Sequence, residues 1–176
     1  MKLFRKKISK DEFIELMLEL RYEIEKSSTL YFKEELDCHE NEKRLKFEIM
    51  IFSLWIVTTL MPSGKAEMKD LLHDKFSEKH WGQIAKSLFE EIDKRYTQYY
   101  KAFEMWQQNP QNGHMIGSVM IEMIKKHNTD FSLYDRFPLS DGNDCLKAFI
   151  LWGKLVEHSS SVIEEIKRRY NLKDIL

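Results

Sequence analysis

Hydrophobic side chains recur every three or four residues along most of the chain, and this spacing predicts amphipathic α-helices. The first such stretch follows Ser9-Lys10-Asp11-Glu12. This is a capping box, in which the serine side chain accepts a hydrogen bond from the backbone N–H three residues on. The Glu12 side chain accepts one in return from the Ser9 backbone N–H. We expect a helix to begin here and to kink or end at Ser27-Ser28-Thr29. Its apolar positions are Phe13, Leu16, Met17, Leu20 and Ile24.

The most apolar stretch is IMIFSLWIVTTLMPSG, residues 49–64. Its uncharged part, Ile49 to Met61, is shorter than the roughly 20 apolar residues that cross a bilayer. Charged residues precede it, and Pro62 does not continue a helix easily. We therefore predict a buried, almost wholly apolar helix (about 41–61) at the centre of a helical bundle. We expect Glu48, at its edge, to face solvent or to pair with a Lys or Arg, the alternative being a partly buried carboxylate.

Three- and four-residue steps continue through the rest of the chain and predict further helices. A short third helix follows Ser63, and the longest helix is predicted over Glu78–Trp106. A helix of about 29 residues spans roughly 43 Å, so we expect one end to project from the bundle. A fifth helix is marked by Met115, Val119, Met120 and Met123. After a loop over 128–142, Asp141 or Asn143 is expected to cap the last helix.

Composition supports an all-α fold. Glycine and proline are scarce, at six and three residues, whereas helix-favouring Leu, Glu, Lys and Met are abundant. No stretch alternates as a strand would, and no Pro-, Gly- or Ser-rich linker divides the chain. We predict a single-domain helical bundle of about five to seven helices over 9–176, preceded by a basic N-terminal tail, 1–8.

Charge and cysteine content narrow the function classes. Charged residues make up 32% of the chain, but the net charge is only −1, which gives no general electrostatic basis for nucleic-acid binding. The two cysteines, Cys38 and Cys145, form no disulfide framework. With no transmembrane segment or signal peptide predicted, we expect a cytoplasmic protein. Peripheral membrane contact through residues 1–8 is the less favoured interpretation of that tail.

One short motif suggests metal chemistry. Leu71-Leu72-His73-Asp74, preceded by the isolated His39, locally resembles the HD-domain phosphohydrolases. The resemblance implies an all-helical fold in which His39, His73, Asp74 and a later aspartate bind a divalent metal that activates water. The later aspartate would be one of Asp130, Asp135, Asp141 and Asp144. The residues after the pair, Lys75-Phe76-Ser77, depart from the family pattern.

Large aromatic side chains suggest a second kind of function. They are dense near the end of the long predicted helix, where Tyr100, Met105 and Trp106 are the candidate interface residues. Tyr, Trp and Met are enriched at protein interfaces. Three methionines of the fifth helix, Met115, Met120 and Met123, are candidates for adaptable apolar surface, although core filling is the commoner role.

The sequence thus leaves open several functions. The preferred one is a non-enzymatic protein-binding, assembly or adaptor factor without a cofactor, whose partner is another protein or a second copy of the chain. The alternative is an HD-type metal-dependent phosphohydrolase, and ligand binding within the bundle stays open.

Overall fold

Six α-helices make up most of the described chain. The computed structural model describes residues 6–39, 42–61, 66–81, 86–129, 131 and 142–172. The helices are α1 (Lys10–Glu34), α2 (Glu42–Leu60), α3 (Ala66–Trp81), α4 (Lys86–Gln108), α5 (Gly113–Met120) and α6 (Gly142–Arg169). The prediction of an all-α helical bundle is confirmed.

Two short strands join the ends of the described chain. The strand β1 (Lys6–Lys7) pairs in parallel with β2 (Tyr170–Asn171), so that Lys6 lies opposite Tyr170. Part of the predicted N-terminal tail is therefore paired with the strand that follows α6, while residues 1–5 lie outside the described part. The division into a tail and a single helical domain stays a prediction.

The first helix begins as predicted but does not end as predicted. The Ser9 side chain accepts from the Glu12 backbone N–H at 3.1 Å, and Glu12 accepts from the Ser9 N–H at 2.8 Å. The expectation that the helix ends at Ser27-Ser28-Thr29 is wrong, since α1 continues to Glu34, while the alternative of a kink there stays a prediction. Thr29 donates its hydroxyl to the Glu25 carbonyl at 2.8 Å, and this local hydrogen bond is compatible with an unbroken helix.

The apolar second helix lies at the centre of the fold, as predicted. It contacts α1, α4 and α6, and its residues from Ile51 to Thr58 are all buried. A helix that is apolar all round is stable only when neighbours cover every side of it. Across the described ranges, no helix reaches the length and apolarity that a membrane crossing requires.

The long predicted helix over Glu78–Trp106 is wrong in its extent. Trp81 is the last residue of α3 and Lys86 is the first of α4, while residues 82–85 lie outside the described part. At its other end, α4 leads into a 3₁₀ turn (Pro110–Asn112), and the Asn109 side chain accepts from the Gln111 N–H at 3.1 Å. The chain then returns as α5, which packs against α4. No projecting end is formed there.

The fifth helix is more deeply buried than an adaptable surface would be. Met115, Met120 and Met123 are at most 4% exposed, so core filling, the commoner role, is confirmed for them, and the alternative of an adaptable apolar surface is wrong. They lie on α5 and on the π-helical turn that follows it (Ile121–Lys125). This segment packs between α4 and α6, which removes its apolar side chains from water.

Candidate functional site

A buried ion pair fixes α4 against the central helix. Arg95 donates from Nε and Nη2 to the two carboxylate oxygens of Glu48, both at 2.6 Å. A third hydrogen bond joins Arg95 Nη1 to Glu91 at 2.7 Å. Glu48 is 1% exposed, so the predicted pairing with a basic residue is confirmed, but in the interior rather than at the surface. Two parallel N–H···O bonds fix orientation as well as distance.

A chain of hydrogen bonds runs from α3 through α4 to α2, at the residue of α4 that follows Arg95. His73 Nε2 lies 3.1 Å from the Tyr96 hydroxyl oxygen. That oxygen lies 3.4 Å from Thr58 Oγ1, which itself donates to the Leu54 carbonyl at 2.8 Å. Three helices thus meet in one polar contact inside an apolar region.

Only one placement of the hydrogen atoms satisfies all three contacts. The single hydroxyl hydrogen of Thr58 is used by Leu54, so Tyr96 must donate to Thr58. In that placement the Tyr96 oxygen accepts from His73, which carries its proton on Nε2. The other ring nitrogen, Nδ1, is left as an acceptor when the imidazole is neutral. The reverse arrangement, in which Tyr96 donates to His73 at 3.1 Å, gives up only the longer contact of 3.4 Å to Thr58.

Burial determines the protonation states of this chain. Burial lowers the pKa of His73 below its usual value, and Asp70 and Asp74 oppose that shift without reversing it. Burial also raises the pKa of Tyr96 far above its usual value. At neutral pH the site therefore contains a neutral imidazole and a protonated phenol.

An open cleft of about 430 Å³ lies beside this chain, between α3 and α4. It is lined by His73, Phe89, Glu90, Ile92, Asp93 and Tyr96. Ile92 and Tyr96 are buried and form an apolar floor, whereas Glu90 and Asp93 are exposed and stand at the rim. The lining thus offers apolar contact at the base and negative charge at the mouth.

The residues suggested by the HD resemblance lie in different places. His73 lines the cleft, whereas His39 follows α1, with its side chain 67% exposed and 3.3 Å from Asp37. Within the described ranges, no group of three or more His, Cys, Asp or Glu side chains is placed to hold a metal ion. Asp144 pairs with Lys125 at 2.7 Å. The other three candidate aspartates, Asp130, Asp135 and Asp141, lie outside the described residues.

The predicted interface residues are half-buried against the core. The Trp106 ring meets the Trp152 ring edge to face, with centroids 5.0 Å apart. Tyr100 lies edge-on to Trp55 at 6.1 Å and to Tyr96 at 6.0 Å. Tyr100 therefore adjoins the polar chain of the cleft, while Met105 and Trp106 lie further along α4. Their role in an interface stays a prediction.

Sequence reasoning did not identify the cleft. Phe89, Ile92 and Tyr96 follow helical spacing, which is typical of core positions, and Ile92 and Tyr96 are indeed buried. The overlooked signal is the pair Glu90 and Asp93, three residues apart and therefore on one side of the helix. The two carboxylates mark a cleft only because α3 lies opposite them, and the sequence does not show that α3 and α4 are neighbours.

Comparison of the chain with protein-family models, with curated proteins and with solved structures found no match.

Proposed function

We propose that this chain is a non-enzymatic protein-binding factor, of the assembly or adaptor kind, and that the α3–α4 cleft is its contact surface. The observation that carries the proposal is the lining of the cleft. A buried apolar floor of Ile92 and Tyr96 lies beneath the exposed carboxylates of Glu90 and Asp93. Interfaces commonly combine an apolar centre with a polar rim in this way.

The protonation states of the available groups favour binding over covalent catalysis. Burial raises the pKa of Tyr96 far above its usual value, and burial also raises the pKa of Cys38 to about 11. A phenol or thiol in its protonated form is a weak nucleophile. His73 uses Nε2 in its contact with Tyr96, which positions the ring rather than activating a nucleophile.

The openness of the cleft to solvent favours a macromolecular partner. Pockets for small molecules usually bury most of the ligand surface. Here Glu90 and Asp93 are exposed, and the Phe89 and His73 side chains are only half-buried. A side chain presented by a larger partner can occupy the base of such a cleft while its backbone stays outside.

The test is an affinity purification with a charge-reversed cleft. The double variant Glu90→Lys with Asp93→Lys changes exposed positions that make no ion pair or side-chain hydrogen bond within the described ranges, so the fold is expected to persist by circular dichroism. Proteins from the source organism that bind the wild-type chain are expected to be lost from the variant. A matched control, Glu34→Lys with Glu157→Lys, makes the same charge change at exposed positions on α1 and α6.

The control decides how the result is interpreted. A partner retained by the control and lost by the cleft variant supports the proposal. Recovery of the same proteins by all three chains, with the fold intact, would remove the cleft from consideration as the contact surface.

A further inference from the structure

We infer that the α3–α4 cleft accepts a basic side chain, in which an ammonium or guanidinium group on an unbranched apolar stem inserts between Glu90, Asp93 and His73. This inference rests on the proposed function and specifies the chemistry of the partner. It follows from three properties of the cleft: its charge, its floor and the hydrogen-bonding state of His73.

The charged side chains that line the cleft are negative within the described part of the chain. Glu90 and Asp93 line it from α4, and neither carboxylate has an ion-pair partner within the described part of the chain. Asp70 and Asp74 act on His73 from α3, where Lys69 is the basic residue that acts in the opposite sense. In a partly desolvated cleft, such an excess of carboxylates attracts a cation more strongly than it would on an open surface.

The floor suits a methylene stem rather than a second polar group. Ile92 is 4% exposed and Tyr96 is 8% exposed, and Phe89 is half-buried beside them. The Tyr96 hydroxyl already contacts His73 and Thr58 at hydrogen-bonding distance, so it does not require a hydrogen bond from a ligand. Lysine and arginine bury their stems on such surfaces while the charged head reaches polar groups. The rings of Phe89 and Tyr96 add cation–π attraction.

His73 is compatible with a cation in its neutral form. Because burial lowers the pKa of His73, the imidazole does not repel a positive charge at neutral pH. The hydrogen-bond arrangement that places its proton on Nε2 leaves Nδ1 to accept an N–H from the ligand. A histidine with the proton on Nδ1 would present a donor instead and would disfavour the same ligand.

The experiment uses two probes that differ in charge. The wild-type protein, labelled with ¹⁵N at histidine, is titrated with Nα-acetyl-lysine methylamide and with its neutral analogue, Nα,Nε-diacetyl-lysine methylamide. The free protein is expected to show His73 protonated on Nε2. The cationic probe is expected to shift the His73 Nδ1 resonance saturably, and the neutral analogue to leave it unchanged. The arginine probe, Nα-acetyl-arginine methylamide, is expected to behave like the lysine probe.

Two charge-neutral variants provide the matched comparison. Glu90→Gln with Asp93→Asn is expected to weaken binding of the lysine probe by roughly tenfold, equivalent to about 1.4 kcal/mol. Glu34→Gln with Glu157→Gln, which removes two charges elsewhere, is expected to leave it unchanged. Both variants preserve side-chain size, so circular dichroism should not distinguish them from wild type.

The outcomes separate this inference from the proposed function. Equal binding of the neutral and cationic probes, a His73 proton on Nδ1, or unchanged affinity in the Glu90→Gln and Asp93→Asn variant would each overturn the inference. A protein partner that still depends on the cleft while the lysine probe fails would also overturn it, and would leave the proposed function standing. Binding of the probe with no cleft-dependent partner would support the inference and remove the proposed function.

Discussion

Removal of Arg95 should cost this fold more stability than removal of any exposed charge. The guanidinium makes two hydrogen bonds of 2.6 Å to Glu48, and the side chains of the two residues are only 6% and 1% exposed. In Arg95→Met the Glu48 carboxylate remains buried without its partner. Breaking a buried pair in this way typically costs about 3–5 kcal/mol, because an uncompensated charge is left in a medium of low polarity.

The double variant Arg95→Met with Glu48→Met provides the test of that reasoning. It removes both charges, so no buried carboxylate is left unpaired, and methionine fills irregular apolar space well. Replacement of a whole buried pair is often neutral or stabilising. We therefore expect the double variant to recover most of the stability lost by Arg95→Met, with a coupling energy above about 2 kcal/mol.

Urea unfolding at pH 7, followed by tryptophan fluorescence and circular dichroism, measures these differences. The matched surface control is Lys94→Met, since Lys94 lies 3.6 Å from Glu91 with its side chain 65% exposed. Such exposed pairs contribute about 0–1 kcal/mol. A loss below about 1 kcal/mol in Arg95→Met, or a double variant as unstable as the single one, would refute the buried pair as the link between α2 and α4.

Two further predictions concern packing and thiol chemistry. A Cβ added at Gly117 would lie 1.9 Å from the Cys145 carbonyl oxygen, whereas one added at Gly153 would meet nothing within 4 Å. Gly117→Ala should therefore lower the unfolding midpoint in urea, while Gly153→Ala in α6 should raise stability by about 0.5–1 kcal/mol; equal effects would contradict the close approach of α5 to α6. Because burial raises the pKa of Cys38 to about 11, its alkylation by iodoacetamide at pH 8, measured by mass spectrometry, should be slower in native than in urea-unfolded protein by about two orders of magnitude. Comparable rates in the two states would show that this thiol is not buried.

The sequence predicted those parts of the fold that depend on local pattern. The capping box at Ser9 and the buried central helix over 41–61 follow from neighbouring residues alone. The predicted helix end at Ser27 failed because Ser and Thr occupy helix interiors when packing favours continuation, and Ser28 is fully buried. The boundary between α3 and α4 was predicted before Glu78, whereas α3 continues to Trp81. Apolar spacing runs on from Trp81 without a proline, so the sequence does not mark where α3 ends.

The candidate site depends on contacts that local pattern does not encode. Glu48 and Arg95 are separated by 47 residues, and His73 and Tyr96 by 23. Periodicity places each of these residues on its own helix but does not say which helices adjoin. The sequence could predict that Glu48 pairs with a Lys or Arg, because charged side chains are rarely buried without a partner. It could not predict that this partner is Arg95.

The two walls of the cleft are held in place by different parts of the fold. Only one side-chain hydrogen bond between described residues of the two walls joins them directly, and it therefore reports on whether the cleft is occupied. The α4 wall is fixed to the central helix by the Glu48–Arg95 pair. The α3 wall packs against α1, and Lys75 pairs with Asp11 at 2.8 Å. The hydrogen bond from His73 to Tyr96 joins the two walls directly. A side chain inserted between the walls must alter the environment of that imidazole, so the His73 resonances report on occupancy of the cleft as well as on the charge of its occupant.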